Sequence, residues 1–486
     1  MKHEWKRLGG RGMAGVQSTV WRVAMAVWGV CLIAPVAVAA DRPNIVVILA
    51  DDLGYGEVGC YGQTVVQTPR LDQMAAEGMR FTHFYAGATV CAPSRSVLMT
   101  GQHHGHTRVR GNAGRTNPRA QALLDEDETV AEVLAAAGYQ TALFGKWGLG
   151  DVGGAESGLP RKQGFHEFFG YLNQHRAHNH FPDYLWENET KVMLKNVVTP
   201  VGEFGGGYAT EQVEFADDLF AERALEFVSR DHDAPFFLYW SLVTPHANNE
   251  RTKALGNGAN VPDFGPYADK DWPEQDKGHA AMITRLDHHV GRLLDRLREQ
   301  GIAEQTLVLF TSDNGPHNES KHNLERFTPS GPYSGIKRSL TDGGIRVPTI
   351  AWWPGTVTAG SESGFAGSFA VVMATAAELA GTSPPDRTDS LSIVPELTGH
   401  SDQQPQHEFL YWEFHEGGFR QACLYKSRWK GIRRLGEPVQ LFDTETDVAE
   451  QTDVAAEHPD ITHTVTAYLE TARWPNPDWE PTPRQR

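Results

Sequence analysis

The sequence predicts an α/β protein, with a large mixed, mostly parallel sheet sandwiched by helices and a small C-terminal α+β part built on an antiparallel sheet. Three observations predict it. Short, continuous apolar runs, the mark of strands buried on both faces, alternate with segments of helical period. Four of those runs end in charged or metal-binding side chains, at the edge where parallel sheets bind ligands. Beyond about Asp389 the pattern shifts to short, alternating, aromatic-rich segments.

The first strand is Asn44 to Ala50, ending in Asp51-Asp52. A helix over Val130 to Ala137 stops at Gly138, and a strand from Gln140 to Phe144 ends in Gly145-Lys146-Trp147. Glu211 to Arg230 reads as an amphipathic helix, followed by a strand, Phe236 to Val243, ending in Thr244-Pro245-His246. A helix over Lys277 to Gln300 leads to the strand Thr306 to Thr311 and then Ser312-Asp313-Asn314-Gly315. Val347 to Trp353 is one more strand and Phe369 to Ala380 one more helix. The C-terminal strands are Tyr411 to Phe414, Gln421 to Tyr425, Trp429 to Ile432 and Val439 to Asp443, with a helix near Asp460 to Ala472. The tail from Trp474 is proline-rich and expected to fray.

At 486 residues the chain exceeds the size at which one core stops growing. We divide it into a leader, residues 1–40, a catalytic domain, 41–390, and a C-terminal subdomain, 391–486. The leader has basic residues, an apolar run from Val23 to Ala40 and a small-x-small site at Ala37-Val38-Ala39, the form of an export signal. The expected location is periplasmic or secreted, with no stable membrane insertion after the signal is removed. Five basic residues and Glu4 lie in that leader, so the formal charge of −17 becomes −21 without it. So acidic a chain disfavours nucleic acid and acidic membranes, and any anion site must be locally positive. Export would permit a Cys60–Cys423 disulfide; two separate core thiols are as compatible with the sequence.

Cys91-Ala92-Pro93-Ser94-Arg95 opens the apolar run Ser96 to Gly101. With Pro93 at a first helical position, Cys91 falls just before a helix N-terminus, where free N–H groups attract anions and lower a thiol's pKa. A lone cysteine is more often a buried structural residue, so this geometry does not decide by itself. Asp51, Asp52, Asp313 and Asn314 form an all-oxygen donor set suited to a hard cation. Any of these alone fits a turn or a cap.

Taken together, C-x-P-S-R with Thr100-Gly101, Asp51-Asp52, Gly145-Lys146-Trp147, Thr244-Pro245-His246, Asp313-Asn314-Gly315 and Gly335-Ile336-Lys337 resemble, in order, the motifs of the type I, formylglycine-dependent sulfatases. The resemblance spans about residues 41 to 450. It implies an alkaline-phosphatase-like fold and a sulfuric ester hydrolase acting on a sulfated sugar or aryl sulfate. It also implies a maturation enzyme that oxidises Cys91 to formylglycine. The metal, Ca²⁺ with Mg²⁺ as second choice, would lie on Asp51, Asp52, Asp313, Asn314 and the converted Cys91. Arg95, Lys146 and Lys337 would hold the hydrate and the sulfate oxygens, and His246 would protonate the leaving alcohol. One hydroxyl of the hydrate attacks sulfur, and collapse of the other expels sulfate.

Two positions depart from the family. Gly148 stands where many members have a histidine that helps break down the covalent intermediate; His104, His106 and the histidines of 160–190 are candidate substitutes. Asp342 stands where glutamate is frequent. Residues 160–190, rich in His and aromatics, read as a loop insertion near the site, and His178, His180, Arg110 and Asn112 are candidate substrate contacts, with Arg108 beside them. Two other functions fit the motifs: a phosphonate monoester hydrolase or phosphodiesterase of the same superfamily, and a non-catalytic, calcium-dependent glycan binder.

Overall fold

Alternate residues of the first strand explain the layering. In β1 (Asn44–Asp51), Val46, Ile48 and Ala50 enter one apolar core, while Ile45, Val47 and Leu49 enter another. A strand buried on both faces must lie inside a sandwich. The structure, a computed structural model, describes residues 42–112, 117–154, 156–202 and 204–483, and places β1 inside a ten-stranded sheet. The expected leader lies outside the described residues.

The other strands are β2 (Met79–Phe81), β3 (Gln140–Lys146), β4 (Glu167–Tyr171), β5 (Tyr184–Glu187), β6 (Thr190–Met193), β7 (Phe236–Pro245), β8 (Thr306–Ser312), β9 (Thr349–Trp352) and β10 (Ser361–Ser363). Their spatial order is β10-β2-β9-β8-β1-β7-β3-β4-β5-β6. From β8 to β4 all neighbours are parallel, whereas β9 pairs antiparallel with β8 and the β5–β6 hairpin closes the far edge. Helices α1 (Pro69–Glu77), α4 (Ala216–Val228) and α5 (Glu274–Glu299) cover one face; α2 (Cys91–Thr100), α3 (Val130–Ala136) and α6 (Val371–Leu379) cover the other.

The C-terminal region is a separate antiparallel sheet, β11 (Phe409–Phe414), β12 (Arg420–Tyr425), β13 (Trp429–Arg434) and β14 (Gln440–Asp443), in sequential order. One face packs on α7 (Pro459–Thr471) through Tyr411, Cys423, Leu441 and Leu469. The other face, with Leu410, Trp412 and Leu424, packs on Tyr85, Val90 and Ile345 of the larger layer structure.

Four expectations need correction. Residues 160–190 are not a loop insertion: Glu167–Tyr171 is a parallel strand of the main sheet, and Gln174–Ala177 is a helical turn. Gly164, Gly170 and the crowded aromatics hide that strand's periodicity. The helix expected from Glu211 begins at Ala216, because Gly207–Glu211 pairs with Val197–Pro200 in a hairpin. Helix α2 starts at Cys91 itself, so Pro93 occupies its third position; the first turn has no i−4 acceptor to lose, and tolerates it there. The tail does not fray as far as residue 483. Trp479 is buried, packs on Gly111 and donates Nε1–H to the Ala120 carbonyl, while Arg473 holds the Trp479 carbonyl at 2.7 Å.

Candidate active site

Strands β8, β1, β7 and β3 are parallel neighbours, so their C-terminal ends meet at one edge. That edge collects Asp313-Asn314, Asp51-Asp52, His246 and Lys146 from four distant segments. Helix α2 arrives beside it and sets Cys91 Sγ 3.4 Å from Asp51 Oδ1. Ligand atoms of Asp51, Asp52, Cys91 and His246 all lie within 4.8 Å of one another. Arg95, one turn along α2, donates to Asp313 Oδ2 from Nε and Nη2 at 3.1 and 2.8 Å, to the Lys146 carbonyl at 2.9 Å and to Ser241 Oγ. Gly145 makes this approach possible: its φ is +119°, and a Cβ there would lie 1.8 Å from the Ser241 carbonyl oxygen.

Lys146 Nζ donates to Asp51 Oδ2, and Lys337 Nζ to Asp52 Oδ2 at 2.7 Å. Lys337 also lies 3.1 Å from His246 Nε2 and 3.3 Å from Glu319. Because His246 Nδ1–H is taken by the Ala247 carbonyl at 2.7 Å, Nε2 carries the lone pair that accepts from Lys337. Three carboxylates, Asp51, Asp52 and Asp313, thus face three cations, Arg95, Lys146 and Lys337, all buried. Burial opposes ionisation of Asp51, but Lys146, Arg95 and Lys337 hold its carboxyl well below the usual range. Burial, and then the Asp51 charge, push Asp313 up to about 7. Burial and Lys337 press His246 well below its ordinary value, so its imidazole rests neutral.

The thiol behaves opposite to expectation. Burial, with Asp51 beside it, pushes Cys91 well above the ordinary thiol range, so the helix N-terminus does not make it a thiolate.

The donor chemistry fits a hard divalent cation. Asn314 Nδ2 donates to Asp52 Oδ1 at 2.7 Å and to the Gly315 carbonyl, while its buried Oδ1 has no hydrogen-bond partner. An orphaned carbonyl oxygen beside three carboxylates is what a cation ligand looks like without its ion.

A cavity of about 320 Å³ opens over Cys91, lined among others by Asn112, Gln174, His178, His246, Lys337 and Glu416. Of the candidate substrate contacts, Asn112 and His178 line it. His178 stacks on His246 at 4.9 Å and bonds Glu250 at 3.0 Å. His180 is buried and points Nε2 at the His246 carbonyl, outside the cavity lining. Arg110 is buried as well, turned to the Thr107 and Trp474 carbonyls. Among the substitutes for the Gly148 position, His104 is engaged by the Arg110 carbonyl and Glu413 N–H, and His106 by Asp389, so neither reaches Cys91. Gly148 itself lines a neighbouring hollow, where a Cβ would meet Gln174 at 3.1 Å. Cys60, Cys91 and Cys423 are all free thiols, so Cys60 and Cys423 form no disulfide.

Three participants escape a reading of motifs: Ser241, Glu319 and Glu250. Only Ser241 leaves a signal, as the one serine inside a mostly apolar, fully buried strand. Glu319 and Glu250 reach the site only through the fold.

The sulfatase family profile matches residues 43–382. This chain belongs to the sulfatase family. It is a sulfuric ester hydrolase with the fold of the alkaline-phosphatase-like superfamily. Over 404 residues it is 34% identical to the N-acetylgalactosamine-6-sulfatase of Canis lupus familiaris, covering 79% of this chain and 70% of that one. Arylsulfatase A of Homo sapiens is 34% identical over 387 residues, covering 76% and 71%. Among solved structures, Ps i-CgsB in complex with k-i-k-neocarrahexaose superposes with a TM-score of 0.75 at 25% identity, covering 91% of this chain and 95% of that one. Among the described residues of the sulfatase, no helix is long and apolar enough to cross a membrane.

Proposed function

We propose that this sulfatase removes sulfate from a sulfated sugar, using Cys91 after its oxidation to formylglycine and a bound Ca²⁺, with Mg²⁺ as the alternative ion. The observation that carries the reading is the buried charge set around Cys91. With a divalent ion bound, the set Asp51, Asp52, Asp313, Arg95, Lys146 and Lys337 becomes net positive, which suits the single negative charge of a sulfate ester and the dianion that is released. Asp51, Asp52, Asp313 and Asn314 would hold the ion, which supplies electrostatic stabilisation of the sulfuryl oxygens. Once oxidised and hydrated, the side chain at position 91 supplies the attacking hydroxyl.

Arg95 braces Asp313 and ties α2 to β3, which fixes the nucleophile's line of approach. Lys337, held by Asp52, lines the cavity where sulfate charge develops, and Lys146, held by Asp51, lies buried beneath it. Burial disfavours the Lys337 ammonium, but Asp52 and Glu319 outweigh it and keep the proton on. The Lys337–His246 contact forms a proton-sharing pair on the leaving-group side, and protonation of the departing alcohol would come from it. Asn112 and His178 are placed to touch the sugar. The leader supports export, and a mature chain beginning near Asp41 is the expected N-terminus.

Side-by-side rates on an aryl sulfate, a phosphodiester and a phosphonate monoester, with protein made alongside a formylglycine-generating enzyme, test the reading. Sulfate esters should turn over fastest. The Cys91→Ala protein should fold normally, retain cation binding and show no turnover; retained full activity in that variant would end the nucleophile assignment. A preference for phosphonate esters would move the enzyme to the alternative chemistry, and glycan binding without turnover in a protein carrying formylglycine would make it a binder.

A further inference from the structure

A larger cavity lies away from Cys91. It measures about 670 Å³, within the range of roughly 300–1,000 Å³ typical of small-ligand clefts. One wall comes from residues 100–110 and 119–128 and the opposite wall from 385–387 and the tail 474–478. The tail is held there deliberately: Trp474 N–H donates to the Gly105 carbonyl, Arg110 Nη1 to the Trp474 carbonyl at 3.0 Å, and Asn476 Nδ2 to the Arg108 carbonyl at 3.0 Å.

Trp474 is the feature these contacts position. Its ring stacks on His106 at 4.0 Å, His106 is bonded to Asp389 at 2.9 Å, and the tilted ring of His103 lies against His106 at 3.7 Å. Trp474 as a residue is nevertheless 42% exposed, with its aromatic ring fixed in orientation before any ligand arrives. Arg119 and Arg387 line the same cleft, exposed and with no ion-pair partner among the described residues. Arg108, by contrast, is occupied by Glu126 and Asp127. Glu128, Asp386 and Asp478, the last held by Asn117, also line the cleft, which suits a sugar carrying an isolated sulfate better than a dense polyanion.

The linings of the two cavities share one short stretch of chain. Arg110 lines this cleft and Asn112 lines the cavity over Cys91, so their backbones are no more than about 7 Å apart. We propose that this cleft is a remote subsite of the sulfatase, binding a further sugar of a sulfated oligosaccharide by stacking on Trp474 and directing its sulfate to Arg119 and Arg387. The proposal rests on the saccharide reading of the Cys91 site and extends it: the substrate is an oligosaccharide or polymer, not a monosaccharide alone.

The test compares Trp474→Ala and Arg387→Ser with the parent on a sulfated galactan tetrasaccharide, the matching sulfated monosaccharide and an aryl sulfate. KM for the tetrasaccharide should rise roughly 5- to 10-fold in Trp474→Ala, the contribution of one aromatic stack. Monosaccharide and aryl sulfate kinetics should not change. Equal effects on all three substrates, or none on the tetrasaccharide, would overturn the subsite. Binding of the same tetrasaccharide and its desulfated form to Cys91→Ala protein, with and without the Trp474 substitution, separates the two claims. Affinity that depends on Trp474 and on the sulfate supports the subsite even if turnover fails, whereas affinity indifferent to both refutes it.

Discussion

Replacing Arg95 with Met removes one of the three buried cations and leaves the shape of the first turns of α2 in place. Four hydrogen bonds go with it: two to Asp313, one to the Lys146 carbonyl and one to Ser241. Asp313 then faces Asp51 with no guanidinium between them, a buried carboxylate left with the Asp52 N–H and no counter-charge in contact. Breaking such a pair from one side costs about 3–5 kcal/mol. With an unfolding entropy of roughly 2.1 cal/mol/K per residue, a chain of this length shifts by about 1 °C per kcal/mol, so a fall in Tm of about 3–5 °C is expected in chelator. A divalent cation should restore part of that loss, because the excess negative charge that destabilises Arg95→Met strengthens cation binding. Thermal melts in EDTA, followed by a Ca²⁺ titration of both proteins, read this directly. The Ca²⁺-induced rise in Tm should be larger for Arg95→Met than for the parent. An equal or smaller rise, or a loss under 1 °C in EDTA, would show that the carboxylates and the cation site are not coupled in this way.

Gly148→Ala should cost about 1–3 kcal/mol by chemical denaturation, since Gly148 has φ +80° and its Cβ would press on Gln174; a neutral substitution would refute the strain. Lys430→Met should cost about 3–5 kcal/mol and lower kcat, because Lys430 is fully buried between Asp342, at 2.7 Å, and Glu450, at 3.4 Å, and Gly344 of the same turn accepts the Gly315 N–H beside Asn314. Lys430→Met with Glu450→Gln should recover part of the stability, and no recovery would argue against the charge account. Burial lowers His104 and His180 to about 4, so the fold holds them neutral while the unfolded chain binds their protons below about 6.5. Stability contributed by these two is complete above that value and falls as pH drops toward 4, by about 2 kcal/mol each at pH 5. Tm that stays flat from pH 7 to pH 5 would contradict this.

Much of the site was legible because the chemistry sits where strands stop. Asp51-Asp52, Lys146, His246 and Asp313-Asn314 each follow an apolar run, and parallel neighbours must carry such ends to one edge. The segment Glu167–Tyr171 was not legible as a strand, since a strand shared between aromatic cores loses its alternation. The roles of Arg110 and the tail were not legible either. An arginine reads the same whether it grips a ligand or a backbone carbonyl, and a proline-rich end reads as frayed until a groove is found for Trp479.

The linear chain by itself determined the layered α/β architecture, the antiparallel C-terminal sheet, the cysteine at the head of a helix and the oxygen-rich donor set. Those follow from local periodicity and from residue chemistry, which need no partner to be read. Tertiary structure decided that the Cys91 thiol is suppressed, that Asn314 keeps an unmatched oxygen, that His178 faces the cavity while His180 does not, and that Trp474 is locked into a second cleft. Each of these depends on which charge or surface lies within a few ångströms, and residues as far apart as Asp51 and Asp313 become neighbours only when the sheet closes around them.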